Sequence, residues 1–194
     1  MNENISEEQL ISRAKLGDKE AISALYERHV DQIYRYIAYR TPESDAEDLT
    51  AEVFVRMVES LPSFVYTGAP FEAWLYRIAS ARVADFHRKK GRRQISSIDD
   101  DFSDDDPLPE DKMQQKQEHR ELREALSNLS DDDQQILILR FVERKSHEEV
   151  AEIMGRNSAA IRTAQHRALK KLATHLDAKG KERHYLRGRP SPDE

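Results

Sequence analysis

Residues 146–172 read SHEEVAEIMGRNSAAIRTAQHRALKKL. Ser146 and Glu149 stand at the spacing of a capping box, in which a hydroxyl and a carboxyl each satisfy an unpaired amide at a helix start. Val150, Ala151, Ile153 and Met154 fall on one side of the short helix that follows. Gly155 supplies the backbone freedom of a tight turn. Asn157 or Ser158 then caps a second helix, with Ile161, Ala164, Ala168 and Leu172 inward and Ser158, Ala159, Arg162, Thr163, His166 and Lys170 outward. The first helix is acidic and the second basic. Two helices crossing at a short turn, the second offering small, polar and basic side chains, fit a helix-turn-helix that reads a major groove. Ala159 and Ala160 permit close approach, and Arg162 would reach a base edge or a phosphate. Arg167, Lys170 and Lys171 would add phosphate attraction. An ordinary helical hairpin with a solvated basic face fits the same residues, so the rest of the chain has to decide.

Working outward, the 194-residue chain allows one large domain or two small ones. It is 35% charged with only 6 Gly and 7 Pro, which favours helix over strand. Cysteine is absent, so disulfides, thiolate metal sites and cysteine nucleophiles are excluded. MNENISEEQL lacks the layout of a signal peptide and no apolar run suits a membrane span, so a cytoplasmic protein without membrane insertion is expected. The net charge of −6 hides a block arrangement. Residues 82–93 hold six Arg/Lys against one Asp, whereas residues 99–111 hold eight carboxylates and no base.

Apolar positions at helical spacing predict helices over residues 6–40, broken at Gly17-Asp18, and from Asp45 to Leu61. The latter places Leu49, Val53, Phe54, Met57, Val58 and Leu61 on one stripe, and Glu47, Asp48, Glu52, Arg56 and Glu59 opposite. PSFVYTGAP (62–70) reads as a loop, followed by a helix from Phe71 to Lys90 that ends at Gly91. Ser130 with Asp133 predicts another capping box, ahead of the apolar run Ile136, Leu137, Leu139 and Phe141. The expected fold class is all-α: two small helical domains, 6–95 and 113–176, joined by an acidic flexible linker at 96–112, with a basic tail at 177–194.

Three segments carry a family likeness: DAEDLTAEVFVRMVESL (45–61), FEAWLYRIASARVADFHRKKGRR (71–93), and the stretch from Leu129 to Leu172 that contains the opening motif. In this order and spacing the chain resembles a bacterial RNA polymerase sigma factor of the sigma-70 family, of the small two-domain extracytoplasmic-function type. The resemblance implies that region 2, the first domain, binds core polymerase and melts the −10 element, and that region 4, the second, binds −35. It implies that Asp45, Glu47, Asp48 and Glu52 face the β′ clamp helices, with the β flap as a further polymerase contact. Arg77, Arg82, Arg88, Lys89 and Arg93 would lie along the non-template strand near −10, and the loop 62–70 would hold a flipped base. Ser158, Ala159, Arg162, Thr163, His166, Arg167 and Lys170 would lie in the −35 major groove. Double- and single-stranded promoter DNA and an anti-sigma factor are the implied partners besides polymerase, and the acidic linker would thread towards the polymerase active-site and RNA-exit channels. The recognition helix opens Ala159-Ala160-Ile161-Arg162 where the family commonly has Gly-Thr-Val-Lys, so promoter preference does not carry over.

No cofactor, metal or enzymatic activity is expected. The seven histidines show no ligand spacing, and there is no Gly-rich phosphate loop. The stretch Asp99–Glu110 has the length of a calcium loop but carries Asp104 at its sixth position, where the turn needs Gly, and Pro107 at its ninth. Phe71 and Trp74, at helical spacing with Ile78, read as core residues rather than base-stacking ones. Two other readings stay open: a self-sufficient helix-turn-helix regulator, and a helical adaptor whose basic face is incidental.

Overall fold

The computed structural model describes residues 5–66, 68–94 and 121–187, with side chains described as far as Lys90 in the first part and Leu176 in the second. The linker 96–112 and residues 188–194 lie outside it. Among the described residues every regular element is helical.

Helix α1 (Glu7–Lys15) opens at Ser6, whose hydroxyl and Gln9 form a reciprocal capping box. Gly17, at φ +85°, ends it, in a backbone region that glycine enters without a Cβ penalty. Asp18 then accepts the amides of Glu20 and Ala21 to start α2 (Lys19–Ala38). Helices α3 (Glu43–Ser60), which follows Pro42, and α4 (Phe71–Gln94) complete the first bundle. Leu25, Ile33, Tyr36, Ile37, Val53, Met57, Phe71, Leu75, Tyr76 and Val83 form its centre. Burying each Leu or Ile there contributes roughly 1.5–3 kcal/mol. Two details differ from the sequence reading. Helix α4 passes through Gly91, which weakens a helix interior but ends it only where the chain turns left-handed. Val58, expected on the buried stripe, is 42% exposed.

The second bundle comprises α5 (121–127), α6 (Asp131–Leu137), a π turn over Ile138–Val142, α7 (His147–Met154) and α8 (Ser158–Arg187). Ser146 and Glu149 form the expected box, but Ser130 makes only half of one: it accepts the Asp133 amide, while the Asp133 carboxylate pairs with Lys171 at 2.6 Å. Phe141, the last member of the apolar run, is 54% exposed. The π turn widens the helix there and shifts the phase of the residues it contains. Helix α8 continues to Arg187, into the stretch read as tail.

The bundles pack through α4 and α7, and polar contacts surround that seam. Arg35 forks onto Glu143 at 3.1 and 3.0 Å, and the Tyr76 hydroxyl donates to the same carboxylate at 3.3 Å. Lys145 pairs with Glu72 at 2.6 Å, and the fully buried Arg40 side chain pairs with Asp131.

Candidate nucleic-acid interface

The backbone of the opening motif sets the geometry of the first surface. Gly155 sits at φ +64° and turns the chain, and the Asn157 side chain accepts the Ala160 amide at 2.7 Å. That cap fixes the rotation of α8, so Ile161, Ala164 and Ala168 are buried. Ala159, Arg162, Thr163, His166, Arg167 and Lys170 are exposed on its outer side, with Ser158 half-buried at the start. Thr163 donates back to the Ala159 carbonyl, whereas Arg162, His166 and Lys170 have no side-chain partner among the described residues. The strip is therefore uncompensated positive charge beside small side chains, a surface suited to phosphates and base edges. Behind it, Arg140 donates to Gln165 at 3.0 Å and Lys171 holds Asp133, bracing α8 against α6. Burial, the largest single influence, raises the Asp133 carboxyl, but the hydrogen bonds to Lys171 and Ser130 and the charges of Lys171 and Arg167 together outweigh it, and the group lies below its ordinary range. Lys171, read as a phosphate contact, is thus committed to the scaffold.

A second surface forms where α4 meets the loop 62–70. Ser60, Ser63, Phe64, Val65, Ala69, Pro70, Trp74 and Arg77 line a cavity of about 220 Å³. Its aromatic wall is interlocked: Phe64 lies 4.7 Å from Trp74, and Phe71 lies 5.3 Å from Trp74. Phe71 is fully buried, while Trp74 is half-buried and reaches the cavity. Lys15 anchors the loop by donating to the Phe64 carbonyl at 2.7 Å, and Val65 and Tyr66 stand exposed beside it.

The cations assigned to this surface have different surroundings. Arg77 borders the cavity but donates to the carbonyls of Glu152 and Ile153, at 2.6 and 3.1 Å, in the last turn of α7. Arg82 and Arg88 both pair with Asp85, whose carboxyl is held below its ordinary range chiefly by the Arg88 hydrogen bond. Lys89 is exposed, and Arg93 lies outside the described side chains.

The third surface is the outer ridge of α3. Glu47, Asp48 and Glu52 are exposed there, with Asp45 half-buried at its start. Two grooves flank it. One, of about 710 Å³, runs past Asp48, Glu52, Arg56 and Arg82 towards α4. The other, of about 820 Å³ against α2, is walled by Tyr26, Val30, Tyr34, Phe54, Val55 and Val58. Of these apolar groove residues the sequence reading names only Phe54 and Val58, as members of the apolar stripe and not as groove walls. Val55 gave the available signal, as an apolar residue off the stripe, 59% exposed.

Comparison with known proteins follows the same division of the chain. Residues 25–93 match the family description Sigma-70 region 2, and residues 119–172 match Sigma-70, region 4. The chain is 37% identical over 172 residues to the ECF RNA polymerase sigma factor BldN of Streptomyces coelicolor, covering 87% of this chain. It spans 65% of that relative, just under two thirds of its length. It is 32% identical over 179 residues to the ECF RNA polymerase sigma factor SigD of Mycobacterium tuberculosis, covering 88% of this chain and 84% of SigD. Its fold is like that of CnrH in complex with the cytosolic domain of CnrY, with a TM-score of 0.65 at 24% identity, covering 87% of this chain and 96% of that one.

Proposed function

Because the chain belongs to the extracytoplasmic-function (ECF) family of RNA polymerase sigma factors, we propose that it binds core RNA polymerase and directs initiation to promoters carrying its −35 and −10 elements. The exposed strip of α8 enters the −35 major groove, with Arg162, Thr163, His166 and Lys170 towards the bases and Arg167 towards phosphate. At −10 the cavity beside Trp74 takes one base out of the stack. Capturing it offsets the few kcal/mol that unstacking costs. Arg77, Arg82, Arg88, Lys89 and Arg93 follow the backbone of the released strand, and Val65 and Tyr66 offer it an apolar edge. Melting is driven by this binding, without nucleotide hydrolysis.

Polymerase docks on the α3 ridge. Asp45, Glu47, Asp48 and Glu52 supply the charge, and the groove between α2 and α3 receives apolar side chains from the clamp helices. Region 4 meets the β flap, and an anti-sigma factor would compete for these surfaces.

The observation that carries this reading is the pairing, on one chain, of an uncompensated basic strip on the second helix of a helix-turn-helix with an aromatic cavity bordered by Arg77. The test is reconstitution with core polymerase and a promoter library. New start sites sharing two spaced elements are expected. DNA binding without any effect on polymerase would instead indicate a self-sufficient regulator.

A further inference from the structure

Two DNA elements named for positions −35 and −10 are centred about 25 base pairs apart, on the order of 80 Å along B-DNA. In the structure the bundles proposed to read them are packed together, and the contacts that join them use the reading surface itself. Arg77, a wall of the proposed base cavity, caps the C-terminal carbonyls of α7. Glu143 is 2% exposed at its side chain, and its described side-chain partners, Arg35 and Tyr76, both belong to the first bundle. A buried carboxylate needs compensating donors, so this one is compensated only while the bundles are docked.

The local backbone and chemistry fit that role. Arg144 sits at φ +55°, a left-handed conformation that a side chain seldom adopts, and its neighbours Glu143 and Lys145 both cross the seam. Burial, then the charge of Glu143, pushes the Tyr76 phenol up, so it remains a donor. The hydrogen bond that Arg35 donates to Glu143 likewise holds its guanidinium charged.

We propose that region 4 holds region 2 closed by phosphate mimicry: Glu143 and the terminal carbonyls of α7 occupy Arg35 and Arg77, so the single strand and region 4 compete for one surface. This deepens the proposed function and rests on it. The free chain is held in a closed form, and strand binding requires the Arg35–Glu143 fork and the Arg77 cap to release.

The chain has no cysteine, so Glu27→Cys with Ala173→Cys, both at exposed positions, gives a specific dye pair across the two bundles in the full chain. Its energy transfer reports closure without DNA. Binding to a short random-sequence single-stranded DNA is measured in parallel. Glu143→Gln is expected to lengthen the dye distance and tighten the strand about fivefold, as the competent fraction rises, whereas Arg35→Gln should lengthen the distance alike without that gain, because it also removes a cation the strand would use. They change net charge in opposite senses, so a shared opening does not arise from charge alone. The swap Arg35→Glu with Glu143→Arg should restore both readouts. An unchanged dye distance in both neutralised variants overturns the closure, and movement of the dyes in Glu143→Gln with no gain in strand affinity overturns the competition. Failure of reconstituted initiation while the dyes move as expected counts against the proposed function and leaves the closure standing.

Discussion

At the residue scale, the side chains of greatest interest are cations, and their surroundings separate them. Arg162 projects from an exposed position with no partner among the described residues, so its guanidinium is available at no internal loss. Arg162→Ala is expected to weaken −35 binding by about 1–3 kcal/mol and to relax preference at one position, if it reads a base. Binding isotherms on a set of single-base variants distinguish this from a phosphate contact, which would weaken all of them equally. Arg82 and Arg88 are different: sharing Asp85 reduces the charge they present. Sequence alone showed six basic residues in 82–93 but not that one Asp would neutralise part of the block. The arrangement follows from i,i+3 geometry on α4, which places Asp85 between the two arginines.

At the element scale, helix starts were readable because a cap is a local arrangement of a few residues. Ser146 with Glu149 became a full box; Ser130 with Asp133 did not, since Lys171 from α8 claimed the carboxylate. Glu149 makes the box pH-sensitive. The Ser146 amide, bonded at 2.6 Å, holds its carboxyl below the ordinary 4.5. A lowered folded-state pKa contributes stability above the unfolded value, and that contribution is lost as pH falls through the folded one. Chemical denaturation followed from neutrality to well below pH 4.5 should therefore show a shallower loss for Glu149→Gln than for the parent, because glutamine keeps the cap but does not titrate. The other element to test is α3. Val55 faces a groove and makes little use of the core, so Val55→Asp should leave the melting temperature nearly unchanged. It should weaken capture by core polymerase at least about tenfold, as loss of an apolar contact at the centre of an interface does. Equal capture by the variant would move the docking surface elsewhere.

For the whole molecule, a net charge of −6 coexists with an exposed basic strip on α8 because charge is sorted along the chain. The stretch after Leu176 adds Lys179, Lys181, Arg183, Arg187 and Arg189. If they meet phosphate, truncation after Leu176 lowers the slope of log affinity against log salt by about 0.9 for each phosphate no longer neutralised. Filter-binding titrations across salt concentrations would read this, and an unchanged slope would assign the tail no part in DNA binding. The sequence by itself determined the helical class, the breaks at Gly17 and Gly155, and the face of α8 that is buried. Each of these depends on side-chain period or backbone freedom within a few residues. Only the tertiary structure decided that Val55 and Val58 wall a groove, that Trp74 borders a cavity, and that Arg35, Arg40 and Arg77 are engaged by the second bundle. Those outcomes depend on which distant helix packs opposite, and Arg35 and Glu143 lie 108 residues apart in the chain. Local pattern encodes no such pairing, because burial and charge compensation arise only when separate helices meet.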